Sequence, residues 1–223
     1  FILIPGTRYN SIVSRFISAS GDVFTQEMSD DTNFPAEIRP LLPQNSKDRI
    51  AFLLPETYNL PPGRSLAKEF VKIASAEWVS RLGNIISSDI TPEKLLKLAT
   101  LASVVEGEAK LAEERPILAG IFLKRMEKHM RLQSCATVIY CWEERGVKKG
   151  SLTYNDLKVD SPYNTYKNAG LPPGPISVPS VASWKSAISP QTTDYLFFFA
   201  TDKGNHIFSK TYAEHVAKQK KNN

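Results

Sequence analysis

Apolar residues recur every three or four positions in several stretches of this 223-residue chain, which is the spacing of one helix face. Other short apolar and aromatic runs end at Gly, Pro or Asn, which is typical of strands and turns. The pattern predicts a strand over residues 1–4, a loop over 60–63, and a hairpin of residues 195–200 and 206–209 that turns at Gly204 and Asn205. It predicts a first helix that ends at Gly21 and a last helix that starts after Thr211. Between them, helices are predicted over residues 65–82, 91–113, 116–128 and 182–188.

Together these elements predict a mainly helical α+β protein. A smaller N-terminal α/β subdomain is expected over residues 1–86, and a mainly helical domain with a small β-hairpin over residues 87–223. The composition of 42% hydrophobic and 23% charged residues is sufficient for a folded core. In the second domain, Thr91 is a suitable N-cap and Pro92 a suitable first helical residue.

The predicted helix over residues 91–113 carries a carboxylate in the middle of its apolar face. At about 100° per residue, Glu108 lies about 20° from Leu101 around the helix, whereas Glu106 lies about 160° from Glu108. Apolar surroundings favour the protonated form of a carboxyl group, so Glu108 is the candidate general acid. Gly107 costs up to about 1 kcal/mol relative to Ala inside a helix, which suggests that another segment approaches closely there.

An ordinary structural role also fits the same position. Glu108 could reach solvent at a gap in the apolar stripe, or pair with a neighbouring cation such as Lys110 or Arg115. The periodic pattern by itself leaves both roles open.

Two polar and aromatic clusters are candidates for a carbohydrate groove. Aromatic faces stack on sugar rings, amides and hydroxyls bond sugar hydroxyls, and a proline-stiffened loop loses little entropy on binding. The alternative is a rigid structural loop whose tyrosines cover the edge of a core. The first cluster comprises Tyr163, Asn164, Thr165 and Tyr166 with the following Pro-rich segment that contains Pro173, and the second comprises Gln133, Ser134, Thr137 and Tyr140.

The charge, the His and Cys residues and the short motifs bear on which other kinds of site the chain could contain. The net charge of +5 suits an anionic partner, but the basic residues are scattered, which does not favour nucleic acid. The three His and two Cys residues lack metal-ligand spacing, and no nucleotide-binding or G-x-S-x-G motif occurs. We therefore expect no metal and no cofactor, and we expect Cys135 and Cys141 to be free, partly buried thiols.

A series of short segments along the chain carries a family pattern. They are FLLPETY (52–58), LASVVEGE (101–108), ER (114–115), MRLQS (130–134), TVIY (137–140), YNTY (163–166), GLPPGPI (170–176), YLFF (195–198), HIFS (206–209) and His215. In this order they resemble the YceG-like family of MltG-type endolytic murein transglycosylases. Two departures stand out, Cys135-Ala136 in place of the usual Asp-Pro and Val178-Pro179-Ser180 in place of Asn-Pro-Gly.

The resemblance implies a function and a mechanism. Glu108, the second Glu of the E-x-E motif, would be the catalytic acid, supported by Glu106, Glu114 and Arg115. It would cleave the MurNAc–GlcNAc bond of nascent glycan strands, limiting their length, and leave 1,6-anhydroMurNAc ends, after which the ionised Glu108 accepts the C6 hydroxyl proton. The alternatives are a hydrolytic muramidase, which needs a second carboxylate such as Asp160 or Glu114, and a wall-binding module without turnover.

The resemblance also implies a location. No apolar run approaches the roughly 20 residues that cross a bilayer. The sequence begins abruptly with a hydrophobic run at Phe1 and has no initiator Met, so we expect a fragment of a longer protein. A single-pass anchor in the inner (cytoplasmic) membrane and a LysM-like module would lie upstream of Phe1, with the catalytic part on the periplasmic side. Peptidoglycan glycan strands are the implied substrate, and peptidoglycan synthases are candidate partners.

Overall fold

The computed structural model describes residues 1–20, 24–61 and 65–222 of the chain. Within these residues it contains eight α-helices, several short 3-10 helices and one two-stranded antiparallel sheet, which confirms the predicted mainly helical α+β class. The helices are α1 (Tyr9–Ser20), α2 (Phe24–Ser29), α3 (Leu66–Leu82), α4 (Pro92–Glu108), α5 (Arg115–Glu127), α6 (Cys135–Glu143), α7 (Val181–Ile188) and α8 (Tyr212–Asn222), and the strands are β1 (Phe197–Ala200) and β2 (His206–Ser209).

The N-terminal elements follow the apolar pattern in part. The predicted strand over residues 1–4 is wrong in extent, since it is reduced to a single antiparallel bridge between Ile2 and Thr57. Helix α3 begins after Ser65, whose hydroxyl accepts the Lys68 N–H as an N-cap. The predicted helix end at Gly21 and the loop positions 62 and 63 lie outside the described residues.

One hydrophobic core connects the N-terminal helices to the C-terminal half. Phe52, Trp78 and Trp184 pack with ring centroids 5.1–5.8 Å apart, and the Trp184 indole N–H donates to the Ala51 carbonyl at 3.2 Å. Such aromatic clusters contribute strongly to core stability because each ring buries a large apolar area. The boundary near residue 86 stays a prediction, and the core residues on its two sides form a single cluster.

Helix α4 begins as the sequence predicts but ends five residues early. Thr91 is the N-cap and Pro92 the first helical residue. At the other end Ala109 adopts an extended conformation, and a 3-10 turn over Ala112–Glu114 leads directly into α5. Glu108 is therefore the last residue of α4, rather than a residue inside a longer helix.

The C-terminal hairpin and last helix agree with the prediction apart from a later start of the first strand. Strand β1 pairs with β2 so that Phe197 lies opposite Ser209 and Ala200 opposite His206. Gly204 forms the turn in a left-handed conformation with φ of 85°, which glycine adopts without strain. In the part of the chain that the structure describes, no helix has the length and apolar character needed to cross a membrane.

Candidate active site

Glu108 is held by hydrogen bonds at the end of an otherwise apolar stripe. Leu101 and Val105 of the same helix are buried, and Glu108 itself is half-buried. Its Oε1 accepts the Ser134 hydroxyl at 2.5 Å and the Ala136 backbone N–H at 3.1 Å. No described residue bonds its Oε2, so this oxygen is available to a ligand.

Gly107 allows the two helices of the site to approach closely. A Cβ at this position would lie 2.6 Å from the Ala136 Cβ, well inside the contact distance of two carbon atoms. The close approach predicted from a glycine inside the helix is thereby confirmed. It brings the N-terminus of α6, with the Ser134 and Ala136 donors, within bonding distance of Glu108.

A cavity of about 460 Å³ opens beside Glu108. Its size falls in the range of about 300–1,000 Å³ that is usual for ligand pockets, and its wall combines aromatic rings with a few polar groups. Such a wall suits a sugar, because rings can stack on the apolar face of a pyranose. The lining residues are Glu108, Arg125, Gln133, Cys135, Tyr166, Phe197, Phe198, Phe199, Ala200, His206, Tyr212 and His215.

Comparisons with known proteins identify the family of this chain. The sequence profile of the YceG-like family matches residues 2–221. The chain belongs to the YceG-like family. A crystal structure of a yceG-like protein from Listeria monocytogenes superposes with a TM-score of 0.78 at 31% sequence identity, covering 97% of this chain and 75% of that one.

Two relatives of the YceG-like chain are named endolytic murein transglycosylase. The Bacillus subtilis (strain 168) protein is 38% identical over 172 residues, which cover 76% of this chain and 47% of the relative. The Streptococcus pneumoniae (strain D39) protein is 29% identical over 214 residues, covering 89% of this chain and 38% of the relative. The chain therefore spans less than half the length of these two relatives.

Three of the predicted substrate-binding residues lie at Glu108 in this YceG-like fold. Gln133 and Tyr166 line the cavity, and Ser134 bonds the Glu108 carboxylate. Gln133 has a left-handed backbone with φ of 50°, a strained conformation for a residue other than glycine, which is often found at functional sites. Its N–H donates to the Thr165 carbonyl at 3.1 Å, so neighbouring structure holds this conformation.

Thr137 and Thr165 do not line the cavity, but they hold the segment that carries Gln133 and Ser134. Both are buried, and their hydroxyls lie 2.9 Å apart. The Thr165 hydroxyl also accepts the Ser134 N–H at 3.0 Å. The two threonines thus fix the residue that bonds Glu108.

Four other predicted binding residues lie away from the cavity. Tyr140 and Tyr163 pack against each other with centroids 4.8 Å apart, and burial raises the pKa of Tyr163 to about 12. Asn164 is buried and donates its amide to the Leu157 and Val159 carbonyls. Pro173 lines a separate, mainly apolar cavity of about 790 Å³. Sugar contact by these four stays a prediction that the cavity at Glu108 does not support.

Glu106 and Arg115 form a structural network on the other side of α4. The Glu106 carboxylate accepts the Ser180 N–H and hydroxyl at 2.9 and 2.5 Å and the Ser183 hydroxyl at 2.7 Å. Arg115 pairs with it at 3.2 Å, and both side chains are largely buried. Glu106 thereby ties α4 to the start of α7, which agrees with the opposite orientation predicted for the two glutamates.

Both departures from the YceG-like pattern take part in these contacts. Ala136 donates a backbone N–H to Glu108, which a proline at that position lacks. Ser180 adds a hydroxyl donor to Glu106 and caps α7 by accepting the Ser183 N–H at 3.2 Å. Cys135 and Cys141 are both free, as predicted, but Cys135 is exposed rather than partly buried, whereas Cys141 is buried.

Arg125 is a residue of the site that the sequence pattern did not single out. It is buried and donates to the Leu196 and Leu132 carbonyls, each at 2.7 Å, which joins the hairpin to the loop before α6. Burial lowers the pKa of Arg125, while the nearby Tyr166 and Glu108 act in the opposite direction. Its position on the buried side of α5 was the sequence signal that could have identified Arg125 as a residue of the site.

The aromatic wall of the hairpin and α8 was also missed. Phe197 lies 5.8 Å from Tyr212 and 5.7 Å from His215 between ring centroids. Burial raises the pKa of Tyr166, as does its hydrogen bond to Cys135, so its hydroxyl is neutral at physiological pH. The three consecutive phenylalanines of β1 were a usable signal for this wall.

No group of three or more His, Cys, Asp or Glu residues suited to a metal ion occurs among the described residues.

Proposed function

We propose that this chain carries the catalytic part of an endolytic murein transglycosylase that cleaves the MurNAc–GlcNAc bond of nascent peptidoglycan strands. The observation that carries the proposal is the Glu108 carboxyl, which is fixed through Oε1, leaves Oε2 free and lines a sugar-sized aromatic cavity. Membership of the YceG-like family and the names of the relatives support the same activity.

The proposed reaction starts with proton transfer from Glu108 to the glycosidic oxygen. The bond from the anomeric carbon of MurNAc to this oxygen breaks, and positive charge develops on the sugar ring. The C6 hydroxyl of the same MurNAc attacks the anomeric carbon, which forms a 1,6-anhydro end without consuming water. One carboxyl group suffices for bond cleavage because the substrate supplies its own nucleophile, whereas ordinary glycoside hydrolysis uses two carboxylates.

The placement of other carboxylates argues against a muramidase that activates water with a second carboxylate. Asp160 is an exposed partner of Lys167 at 2.7 Å, and Glu114 is bonded to His206. Of the described residues that line the cavity, Glu108 alone has a carboxyl group. A second carboxylate to activate water is therefore missing from the wall around Glu108.

Digestion of purified, uncrosslinked glycan strands tests the activity. We expect the wild-type chain and the control Glu113→Gln, which changes an exposed glutamate five residues away, to release anhydro-ended fragments identified by mass spectrometry. Glu108→Gln keeps the size and hydrogen bonding of the side chain but has no proton to donate, so it should release none. Fragments heavier by one water would indicate a muramidase, binding without cleavage by all three proteins would indicate a wall-binding module, and equal release by Glu108→Gln would remove Glu108 from its role.

We also propose the location implied by the family resemblance. The full-length protein would be anchored in the inner membrane by one helix upstream of Phe1, with this chain on the periplasmic side and peptidoglycan synthases as partners. Fractionation and a periplasmic topology reporter on the full-length protein test the location, and co-purification with synthases tests the partnership. A full-length protein found in the cytosolic fraction would contradict it.

A further inference from the structure

A buried Glu–His pair lies behind the cavity at Glu108 and reaches the cavity wall through His206 alone. The Glu114 carboxylate accepts the His206 backbone N–H at 2.8 Å through Oε1 and lies 2.6 Å from the His206 Nδ1 through Oε2. The two side chains are only 10% and 3% exposed. The double contact connects the turn between α4 and α5 to the first residue of β2, and it fixes the orientation of the imidazole ring.

This pairing determines which nitrogen of the neutral imidazole carries the proton. Because an ionised carboxylate only accepts hydrogen bonds, Nδ1 is the protonated nitrogen and Nε2 keeps its lone pair. No described residue forms a hydrogen bond with Nε2. This nitrogen is also absent from the fully buried polar atoms that lack a partner among the described residues. His206 lines the cavity beside Glu108, so its one unbonded ring nitrogen belongs to a residue of the wall that faces the proposed substrate.

We propose that His206 is the general base that removes the C6 hydroxyl proton of MurNAc, and that Glu114 is its positioning residue. The inference rests on the proposed function and adds a second catalytic residue to it. It replaces the simpler scheme in which the ionised Glu108 performs both proton transfers. A carboxylate that orients an imidazole through Nδ1 is a general arrangement for making Nε2 a base.

The step balances with two separate proton transfers. Glu108 gives its proton to the glycosidic oxygen, which departs as the C4 hydroxyl of GlcNAc. The C6 oxygen forms a bond to the anomeric carbon as its proton passes to Nε2 of His206, and no water is consumed. The imidazolium then releases its proton to solvent and Glu108 takes one up, which restores the starting state.

Because one group must accept a proton and another must donate one, we expect a bell-shaped dependence of kcat on pH. Activity falls in acid because the base must be unprotonated, and in alkali because Glu108 must be protonated. Loss of His206 should remove the acidic limb from the remaining activity, whereas a base role for Glu108 would leave that limb unchanged. The titratable and charged groups that line the cavity with His206 are Glu108 of α4, Arg125 of α5, Cys135 of α6, Tyr166 of the loop after α6, and Tyr212 and His215 of α8, and Glu114 contacts His206 from the turn between α4 and α5.

Two variants separate the catalytic role from a structural one. His206→Asn keeps an N–H that can donate to Glu114 but has no nitrogen in the place of Nε2, and we expect kcat to fall about 10²–10⁴-fold. Glu114→Gln presents its amide to Nδ1, which moves the imidazole proton to Nε2, and we expect a similar loss in kcat with little change in KM. Thermal unfolding of both variants checks that they are folded.

Chemical rescue gives a readout that a structural role would not produce. Added imidazoles should restore anhydro-end formation to His206→Ala, and the restored rate should rise with the basicity of the imidazole used. Should a folded His206→Asn release anhydro ends at the wild-type rate, or should rescue be absent, the assignment of His206 is overturned while the proposed function stands. If the wild type itself makes no anhydro ends, the proposed function fails, and this inference with it.

Discussion

Replacing Gly107 by Ala tests whether the close approach of α4 and α6 builds the site. The added methyl would lie 2.6 Å from the Ala136 Cβ, whereas two carbon atoms pack at about 3.5–4.0 Å. The two helices must therefore move apart by about 1 Å at this point. That movement carries the Ala136 N–H away from Glu108, to which it donates at 3.1 Å.

Replacement of Gly107 by Ala is expected to lower both the stability of the fold and the rate of cleavage. Overpacking costs about 1–3 kcal/mol, and Ala gains at most about 1 kcal/mol over Gly at this next-to-last residue of α4, so we expect a net destabilisation of roughly 0–3 kcal/mol. A misplacement of about 1 Å at reacting groups can lower a rate about 10²-fold. We expect that order of loss in the release of anhydro ends by Gly107→Ala.

The double variant Gly107→Ala, Ala136→Gly is the matched control. It transfers the methyl group from one helix to the other, which removes the clash and keeps the backbone N–H of residue 136. Digestion rates and unfolding midpoints of the two single variants and the double variant give the coupling energy between the two positions. Wild-type activity in Gly107→Ala, or no recovery in the double variant, would refute the reasoning.

Two further predictions concern stability. Burial raises the pKa of the Asp48 carboxyl group to about 6. The stabilisation from the protonated carboxyl group is therefore complete below its unfolded-state pKa of 3.8, and it is lost as pH rises through about 6. Asp48→Asn should therefore gain stability relative to the wild type between pH 4 and 7, by at most roughly 3 kcal/mol in urea unfolding, and equal pH profiles would contradict this. Glu106→Ala leaves Arg115 without its carboxylate partner and should cost about 3–5 kcal/mol, against about 0.5 kcal/mol or less for Glu113→Ala. Matching unfolding midpoints for these last two variants would argue against the network.

Local signals in the sequence were sufficient for most secondary structure. The start of α4 at Thr91 and Pro92 and the hairpin turn at Gly204 depend on neighbouring residues only, and all three appear as predicted. The strand over residues 1–4 was overestimated because its pairing depends on Thr57, more than fifty positions away. The end of α4 was predicted five residues too late, because helical periodicity does not show where the backbone leaves the helix at Ala109.

The candidate site was predictable only in its centre. Glu108 and the glycine beside it stood out because a carboxylate and a helix-breaking residue interrupted an apolar stripe. Tyr140 and Asn164 have the composition of sugar-binding residues, yet the fold uses one to cover the core and the other to bond loop carbonyls. Composition records the types of contact that a residue can make, whereas its partners depend on packing.

By itself, the sequence determined the mainly helical class, the acidic residue at the centre of the site, the opposite orientation of Glu106 and the family resemblance. These features arise from short-range periodicity or from ordered segments along the chain. The tertiary structure alone decided which residues surround Glu108, namely Arg125, His206 and the aromatic wall of the hairpin and α8. The cavity is built from segments up to about a hundred residues apart, and such distant segments meet only when the core packs.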